Sequence, residues 1–425
     1  MTVRTGGGWV MVGYILSIIG VATIPMSSAL ALGGFWQGIT AAMALVGVFV
    51  GGFVGGWLTD RLGRQKLFFV APAIVLACSI GMLWVGSGAS LAVLRLLSGL
   101  AVGIEYTAAG SLLTEFIPQK HRGARLSVLT VLWFVGAALS YIAGNFILSS
   151  AGADAWRHVM ASPAIIALIL LVIRVGTPES PRWLLSKGRR ADAEAVIKRV
   201  FGPSFSLRNI AEEPKAAKAM SFMDAIRAGY GKRIMFVVMF WSCAVIPVFA
   251  VYAFVPKLFQ ALNLTGRLAS YGSVGITLMF VVGCVVATWL INFIGRRTII
   301  LQSFLWSGLA LLGLGLFPEA AGWIVLLLFA AYALFIGGAQ VLEFVYPNEL
   351  FPTEIRAFAV GLGASLSALS SAVGTWLVPI SLEKFGIGET MFAAAAITLL
   401  GFLVSMMLAP ETRSMSLQEA ASLGR

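Results

Sequence analysis

Long apolar stretches without charged residues recur along the whole chain. The first of them, residues 5–59, has room for two membrane-spanning helices of about 20 residues each. Runs of this length exclude the strands of a transmembrane barrel, which alternate between apolar and polar residues over about ten positions. The sequence therefore predicts an all-α polytopic membrane protein with twelve spans. Their approximate limits are 9–31, 36–58, 67–87, 90–113, 126–148, 155–176, 234–256, 270–294, 298–317, 321–345, 357–381 and 387–408.

The composition supports this prediction and removes two other classes of protein. Hydrophobic residues make up 59% of the 425 positions and charged residues 11%, against about 25% charged residues in soluble domains. A soluble fold could not bury that much apolar surface. The net charge is +12, but the basic residues lie in short runs between apolar stretches. We therefore relate them to membrane topology and expect no nucleic-acid partner.

The most polar interruption divides the chain into six plus six spans. We predict an N-terminal six-helix bundle at 1–176, a cytoplasmic linker with short helices at 177–233, a C-terminal six-helix bundle at 234–409 and a cytoplasmic tail at 410–425. Lys and Arg are concentrated in the linker and in the loops on the same side of the predicted membrane. The positive-inside rule then places both termini in the cytoplasm.

Three segments of the first half recur in the second. The segment from Trp57 to Arg64 matches the one from Trp289 to Arg296, an offset of 232 positions (296 − 64). Thr114-Glu115-Phe116-Ile117-Pro118 matches Asn348-Glu349-Leu350-Phe351-Pro352, and Pro178-Glu179-Ser180 matches Pro410-Glu411-Thr412. These matches indicate a parallel duplication of a six-span unit. They predict two bundles related by a pseudo-two-fold axis, an architecture typical of alternating-access carriers.

These motifs resemble those of a known family. The segment 56–66 and the Arg95-x-x-x-Gly99 pattern are similar to signatures of the major facilitator superfamily. The segments 178–184, 295–297, 346–356 and 410–413 resemble its sugar-porter-like branch, which includes bacterial metabolite transporters. The resemblance implies a secondary transporter of the bacterial inner membrane that has no enzymatic activity and no cofactor. Two features of relatives are missing: the paired glutamines of sugar porters from 240–247, and an acidic residue of the first helix from 12–14.

The charged residues of the motifs are candidates for gating. The resemblance implies that Asp60 acts as a latch, with Arg122 and the start of the eleventh span near Ala357 as partners, and Asn292 replaces this acid in the second half. We interpret the set as conformational switches rather than substrate ligands. The gating candidates are Asp60, Arg61, Arg64, Glu115, Arg122, Glu179, Arg182, Arg296, Glu349, Arg356, Glu411 and Arg413.

Several charged residues lie inside predicted spans, and three of them are candidates for a role in transport. An ionised carboxylate at the position of Glu105 costs several kcal/mol unless it is solvated or paired, and Arg95 is about 15 Å away along the helix. We therefore expect Glu105 to be unpaired and take it as the proton-coupling candidate, with a substrate contact in the cavity and a structural hydrogen-bonding acid as the alternatives. Arg95 could bind a carboxylate substrate or shape the proton site. Glu343 could line the cavity or belong to the inner gate.

The remaining candidates are aromatic and polar side chains within the spans, which suit a small solute with an apolar body. The predicted cavity residues are Arg95, Tyr106, Trp133, Tyr141, Trp241, Tyr252, Gln340 and Glu343. We favour proton-coupled transport of a small organic metabolite such as a carboxylate, with a sugar or polyol porter and an organic-cation efflux carrier as alternatives. The chain contains no phosphate-binding loop of a primary pump. We expect a monomer in contact with lipids, protons and a small-molecule substrate, without metal or cofactor.

Overall fold

Twelve long helices form the molecule, as the hydrophobic pattern predicts. The structure, a computed structural model, describes residues 2–116, 122–205, 226–264, 266–413, 415, 419 and 421–422. Within these residues, twelve helices are long and apolar enough to cross a membrane. They are α1 Thr2–Ala29, α2 Gly34–Leu62, α3 Arg64–Gly81, α4 Gly88–Phe116, α5 Arg122–Ala151, α6 Ala153–Arg174, α7 Gly231–Ala261, α8 Gly266–Ile294, α9 Arg296–Leu316, α10 Gly322–Leu350, α11 Thr353–Lys384 and α12 Ile387–Leu408.

Most helices extend a few residues beyond the predicted apolar windows. Helix α2, for example, continues through Asp60 and Arg61 to Leu62. Charged residues in a terminal turn can reach water while the backbone hydrogen bonds of the helix continue. Helix α2 ends at Gly63, which has a φ of 99°, and α8 ends in the same way at Gly295, which has a φ of 86°. Glycine adopts this backbone conformation without the penalty that a Cβ would add.

The twelve helices form two halves with the same internal packing. In the first half α2 packs on α4, α1 on α5, and α3 on both α4 and α6. In the second half α8 packs on α10, α7 on α11, and α9 on both α10 and α12. The halves meet along α1–α7, α2–α11 and α5–α8. The last two pairings exchange under the repeat, which is the pseudo-two-fold relation that the duplicated motifs predict.

Small residues allow the helices within each half to approach closely. A Cβ on Gly99 of α4 would lie 2.0 Å from the carbonyl oxygen of Ala44, and a Cβ on Gly283 of α8 would lie 2.2 Å from that of Leu334. Helices in lipid gain little from the hydrophobic effect and associate through such close packing. The outward surface of α6 carries exposed apolar side chains, among them Val172 at 67% exposure. The chain is a multi-pass membrane protein.

Two faces of the molecule are needed to describe the site. We call the end where α1 begins and where α2, α6 and α12 end the termini face, and the opposite end the distal face. An even number of spans brings both chain ends to the termini face. The described part of the segment between α6 and α7 contains two short helices, Pro181–Ser186 and Arg190–Phe201. The limits of the linker and of the two bundles stay predictions.

Candidate functional site

A cavity of about 250 Å³ lies between the two halves. Its walls come from α1, α2, α4 and α5 of the first half and from α7, α10 and α11 of the second. Most of the lining is apolar or aromatic. The polar or aromatic side chains that line it are Trp9, Phe49, Tyr106, Thr107, Thr130, Trp133, Phe134, Trp241, Phe249, Gln340, Glu343, Ser365 and Ser367.

Five of the eight predicted cavity residues line this cavity. They are Tyr106, Trp133, Trp241, Gln340 and Glu343. Of the two hypotheses for Glu343, the structure agrees with a position in the cavity wall. Trp9 and Phe249 also line the cavity but are not among the predicted cavity residues. An aromatic residue in a span gives no signal of whether it faces lipid, another helix or a cavity.

Arg95 does not belong to the described cavity lining. Its guanidinium is buried and donates a hydrogen bond to the carbonyl oxygen of Ile15 in α1 at 2.8 Å. Helix α4 begins at Gly88, so Arg95 lies in the distal half of that helix. The expectation that Arg95 contacts a substrate carboxylate has no support in this arrangement.

Aromatic rings form a continuous wall on one side of the cavity. Trp9 and Tyr106 meet edge to face with their ring centroids 5.0 Å apart. Trp133 contacts Phe249 in the same manner at 5.8 Å, which joins the two halves across the cavity. The indole of Trp133 also lies close enough to interact with the hydroxyl of Tyr106. The wall is therefore held by contacts between its rings and presents ring surfaces to the cavity.

Glu343 is the charged side chain of the described cavity lining. It is 4% exposed, and the indole of Trp241 lies close enough to interact with its carboxylate. Its Oε1 has no hydrogen-bond partner among the described residues, and the same is true of Gln340 Nε2 and Thr130 Oγ1. Buried polar atoms are nearly always hydrogen-bonded. Three such atoms in one cavity wall indicate a place where a ligand or a proton completes the bonding.

Glu105, the predicted proton-coupling residue, is not unpaired, so this part of the prediction is wrong. Arg174, at the end of α6, binds both carboxylate oxygens, with one contact of 2.8 Å from Nη1 to Oε2. Both side chains are fully buried. The guanidinium also donates to the carbonyl oxygen of Phe68 at 2.5 Å and lies 3.6 Å from the centre of its ring. Glu105 does not line the described cavity, and its role in proton coupling was not tested by these contacts.

The charged motif residues at the termini face form two matching helix caps. The carboxylate of Glu179 accepts hydrogen bonds from the backbone N–H groups of Arg64 and Gln65 at 3.0 and 3.1 Å. The carboxylate of Glu411 accepts from those of Arg296 and Arg297 at 3.0 and 3.1 Å. A carboxylate at a helix N-terminus satisfies free N–H groups and opposes the positive end of the helix dipole. The duplicated motifs therefore close the same contact in each half.

The network of the second half continues beyond the cap. Arg296 forms an ion pair with Glu349 at 3.0 Å, and the hydroxyl of Thr412 donates to the same carboxylate at 2.6 Å. Arg356 donates from Nε to the carbonyl oxygen of Phe351 at 3.0 Å. The backbone N–H of Arg413 donates to Glu411 at 2.9 Å.

The structure describes only some of the corresponding side chains of the first half. Arg182 belongs to the short helix Pro181–Ser186 that follows the Glu179 cap. The side chains of Glu115 and Arg122 lie outside the described residues, so their pairing stays a prediction.

Asp60 is exposed at the end of α2. Its side chain is 75% exposed, and Arg64 lies 3.4 Å away. Arg61 stacks on the ring of Trp57 with 4.1 Å between the guanidinium carbon and the ring centre. The side chains of the predicted latch partner Arg122, of Ala357 and of the counterpart Asn292 lie outside the described residues. The latch stays a prediction.

Hydrogen bonds join the two halves on the distal side of the cavity. Tyr141 does not line the cavity but donates to the carbonyl oxygen of Tyr252 at 2.6 Å, and Thr23 donates to that of Ala253 at 3.0 Å. Lys257 of α7 donates to the side-chain oxygen of Gln37 in α2 at 2.6 Å. These bonds link α1, α2 and α5 to α7.

The chain matches known transport proteins along almost its whole length. YaaU of Escherichia coli (strain K12) is 38% identical over 418 residues, which cover 98% of this chain and 93% of YaaU. The inner membrane metabolite transport protein YgcS of the same strain is 35% identical over 420 residues, which cover 99% of this chain and 93% of YgcS. A D-xylose-proton symporter of that strain is 24% identical over 456 residues, which cover 97% of this chain and 91% of the symporter.

Solved structures share the fold. The xylose transporter XylE from E. coli in an inward open conformation superposes with a TM-score of 0.84 at 21% identity, over 100% of this chain and 99% of that chain. XylE bound to 6-bromo-6-deoxy-D-glucose gives a TM-score of 0.78 at 22% identity, over 100% of this chain and 98% of that chain. The sequence model described as "Sugar (and other) transporter" matches residues 11–423. The chain belongs to this family of the major facilitator superfamily and is a transporter, not an enzyme.

Proposed function

We propose that this secondary transporter is a proton-linked carrier that moves a small organic solute by alternating access through the central cavity. One observation carries the proposal: a buried carboxylate with an unsatisfied oxygen lines a cavity between two separately packed halves. Two such halves can move relative to each other without either of them unfolding. The carboxylate can hold a proton in one state and release it in another.

We further propose that the termini face is cytoplasmic and that the membrane is the inner membrane of a bacterium. The described parts of the basic linker and loops lie on this face, as the positive-inside rule requires, and YgcS is named an inner membrane protein. The bonds of Tyr141, Thr23 and Lys257 then close the outer side. On this assignment the structure represents an inward-facing state. A cysteine introduced at the exposed Ser186 should react with an impermeant reagent only from the cytoplasm, and labelling from outside would reverse the orientation.

Glu343 is a better candidate for the proton site than Glu105. Glu105 has two strong hydrogen bonds from Arg174, and these stabilise the ionised carboxylate. Glu343 has a single neutral donor and an unsatisfied oxygen. A proton on Glu343 removes a buried charge, and its release restores one, so proton occupancy changes the energy of the closed cavity.

The substrate proposals differ in the support they have. A carboxylate substrate lacks a cationic side chain in the described lining, since Arg95 bonds to α1 instead. A neutral sugar or polyol is the second candidate, because the relatives include a D-xylose-proton symporter. The unsatisfied amide of Gln340 could bind a hydroxyl of such a solute.

The test is solute accumulation by purified protein in proteoliposomes, with and without a pH gradient. D-xylose, choline and benzoate serve as neutral, cationic and anionic probes. We expect a pH gradient to change the steady-state accumulation of at least one probe, and we expect Glu343→Gln to abolish that response. Glu389→Gln makes the same chemical change at an exposed position of α12 and should preserve it. Accumulation that ignores the pH gradient, or a gradient response that survives in Glu343→Gln, would overturn the proposal.

A further inference from the structure

The cavity has an unbalanced charge. Its described lining contains one acidic side chain, Glu343, and no Lys, Arg or His. We propose that the substrate is a small alkylammonium cation with an apolar body, and that this cation and a proton occupy Glu343 in turn. This inference rests on the proposed function and names the substrate class of the same site.

The carboxylate of Glu343 requires a positive partner when it is ionised. The side chain is 4% exposed, its Oε1 has no hydrogen-bond partner among the described residues, and the surrounding wall is largely apolar. An ionised carboxylate in such surroundings is unfavourable without a counter-charge. Only a proton or a bound cation can supply the missing charge here, because the described lining offers none. The two occupants therefore exclude each other.

The wall suits an organic cation. Ring faces of tryptophan and tyrosine attract cations through their quadrupole, and Trp9, Tyr106 and Trp133 stand together in the lining. The indole of Trp133 interacts with the hydroxyl of Tyr106, and the indole of Trp241 interacts with the carboxylate of Glu343. The rings are therefore fixed in place and offer their apolar surfaces to a ligand.

The same wall suits an inorganic cation or a sugar less well than an organic cation. A bare inorganic ion needs several oxygen ligands, whereas an alkylammonium ion needs one counter-charge and apolar contact. A sugar needs many hydrogen-bonding partners. The hydroxyls of Thr107 and Ser367 donate instead to backbone carbonyls of their own helices, at 2.9 Å in both cases. The lining residues from α7 are Trp241, Val245 and Phe249, and none of them has a free side-chain acceptor.

Cation binding should depend on pH. Among the described residues, the titratable side chains within electrostatic range of the Glu343 carboxylate are Tyr106 of α4 and Cys284 of α8. Neither is positively charged, so neither replaces the cation. The cation binds the ionised carboxylate and the proton binds the same group, so raising the pH should tighten cation binding. The transport cycle then exchanges one cation for one proton, and charge and protons balance on the single carboxylate.

The test is equilibrium binding to the purified protein, followed by the fluorescence of the cavity tryptophans. Choline is the probe, and 3,3-dimethyl-1-butanol is the matched neutral compound of the same shape. At the pH where the choline affinity has levelled off, we expect choline to bind at least about thirtyfold more tightly than the alcohol, the low end of what the loss of one charge from a buried pair gives. Between pH 5 and 8 the choline affinity should rise by up to about tenfold per pH unit until it levels off.

Variants separate this inference from the proposed function. Glu343→Gln should bind choline no more tightly than the alcohol and lose the pH dependence, and Glu389→Gln should behave like the wild type. Equal affinities for choline and the alcohol, a pH-independent choline affinity, or no choline binding at any pH would each overturn the substrate class. The wild-type comparison of the two probes needs no variant to fold. A pH-driven accumulation of D-xylose alone would leave the proton-linked carrier standing and reject the cation.

Discussion

The buried pair between Glu105 and Arg174 makes a strong prediction about stability. Replacing Glu105 by Gln leaves the guanidinium of Arg174 without its counter-charge while the side chain stays fully buried. We expect this substitution to destabilise the protein. The double variant Glu105→Leu with Arg174→Met, which replaces the pair by apolar side chains, should recover most of the loss.

The expected magnitude follows from the contacts. Removing one partner of a buried ion pair costs about 3–5 kcal/mol. Arg174 would keep its bond to the carbonyl oxygen of Phe68 and its position over the ring, and the amide oxygen of Gln could still accept one hydrogen bond. We therefore expect a loss near the lower limit, about 3 kcal/mol. The apolar pair should lie within about 1 kcal/mol of the wild type, because it removes both charges at once.

The assay is reversible unfolding in mixed micelles, followed by the loss of helical structure. Glu194→Gln is the matched control, because Glu194 forms an exposed ion pair with Lys198 at 3.2 Å, and such pairs contribute at most about 0.5 kcal/mol in a helix. The reasoning fails if Glu105→Gln is as stable as this control, or if the double variant is no more stable than the single one. A stable Glu105→Gln protein that no longer responds to a pH gradient would restore Glu105 as the proton carrier.

Three further substitutions test the packing, the caps and the closure. Gly8→Ala should destabilise the protein by about 2 kcal/mol, because its Cβ would lie 1.9 Å from the Oε1 atom of Glu105. The control Gly56→Ala, whose Cβ would enter open space, should be neutral or slightly stabilising. Equal effects of the two substitutions would contradict the predicted clash. Glu411→Gln should lower stability by about 1–2 kcal/mol through the lost charged cap of α9, and an unchanged melting temperature would reject that role. Lys257→Met removes one hydrogen bond to α2, which contributes about 1 kcal/mol. It should therefore raise about fivefold the rate at which a cysteine introduced at Thr130 is labelled by a reagent added from the distal face. An unchanged labelling rate would show that Lys257 does not help to close that side.

The sequence predicts the spans well because lipid imposes a simple rule. Every residue of a span must be compatible with a continuous helix in an apolar solvent, so the pattern is local and strong. The helix ends were less predictable: α11 begins at Thr353, four residues before the apolar window. The duplicated motifs also predicted the pairing of the halves, since they mark the same helix junctions in each.

The site was predictable only in part, because its contacts join residues distant in the sequence. Glu105 and Arg174 are 69 positions apart, and neither residue alone reveals the other. A signal was available: each is a charged residue within a predicted span of the same half, and charges in membranes generally have partners. Tyr141 and Tyr252 were predicted as cavity residues from their type. In the structure they join the two halves on the distal side of the cavity, where the Tyr141 hydroxyl donates to the carbonyl oxygen of Tyr252.

The internal repeat distinguishes charges that maintain the fold from those that serve transport. Glu179 and Glu411 occur in both halves and cap equivalent helices, so their role follows from the architecture itself. Glu343 has no such counterpart: with the offset of 234 that relates Glu115 to Glu349, the corresponding position of the first half is Ala109 (343 − 234). Glu105 also lacks one, since Ala339 lies at its equivalent position (105 + 234), but its charge is balanced by a buried arginine. A charge that breaks the repeat and lacks a partner in the protein needs one from outside, and in the described spans Glu343 fits that description.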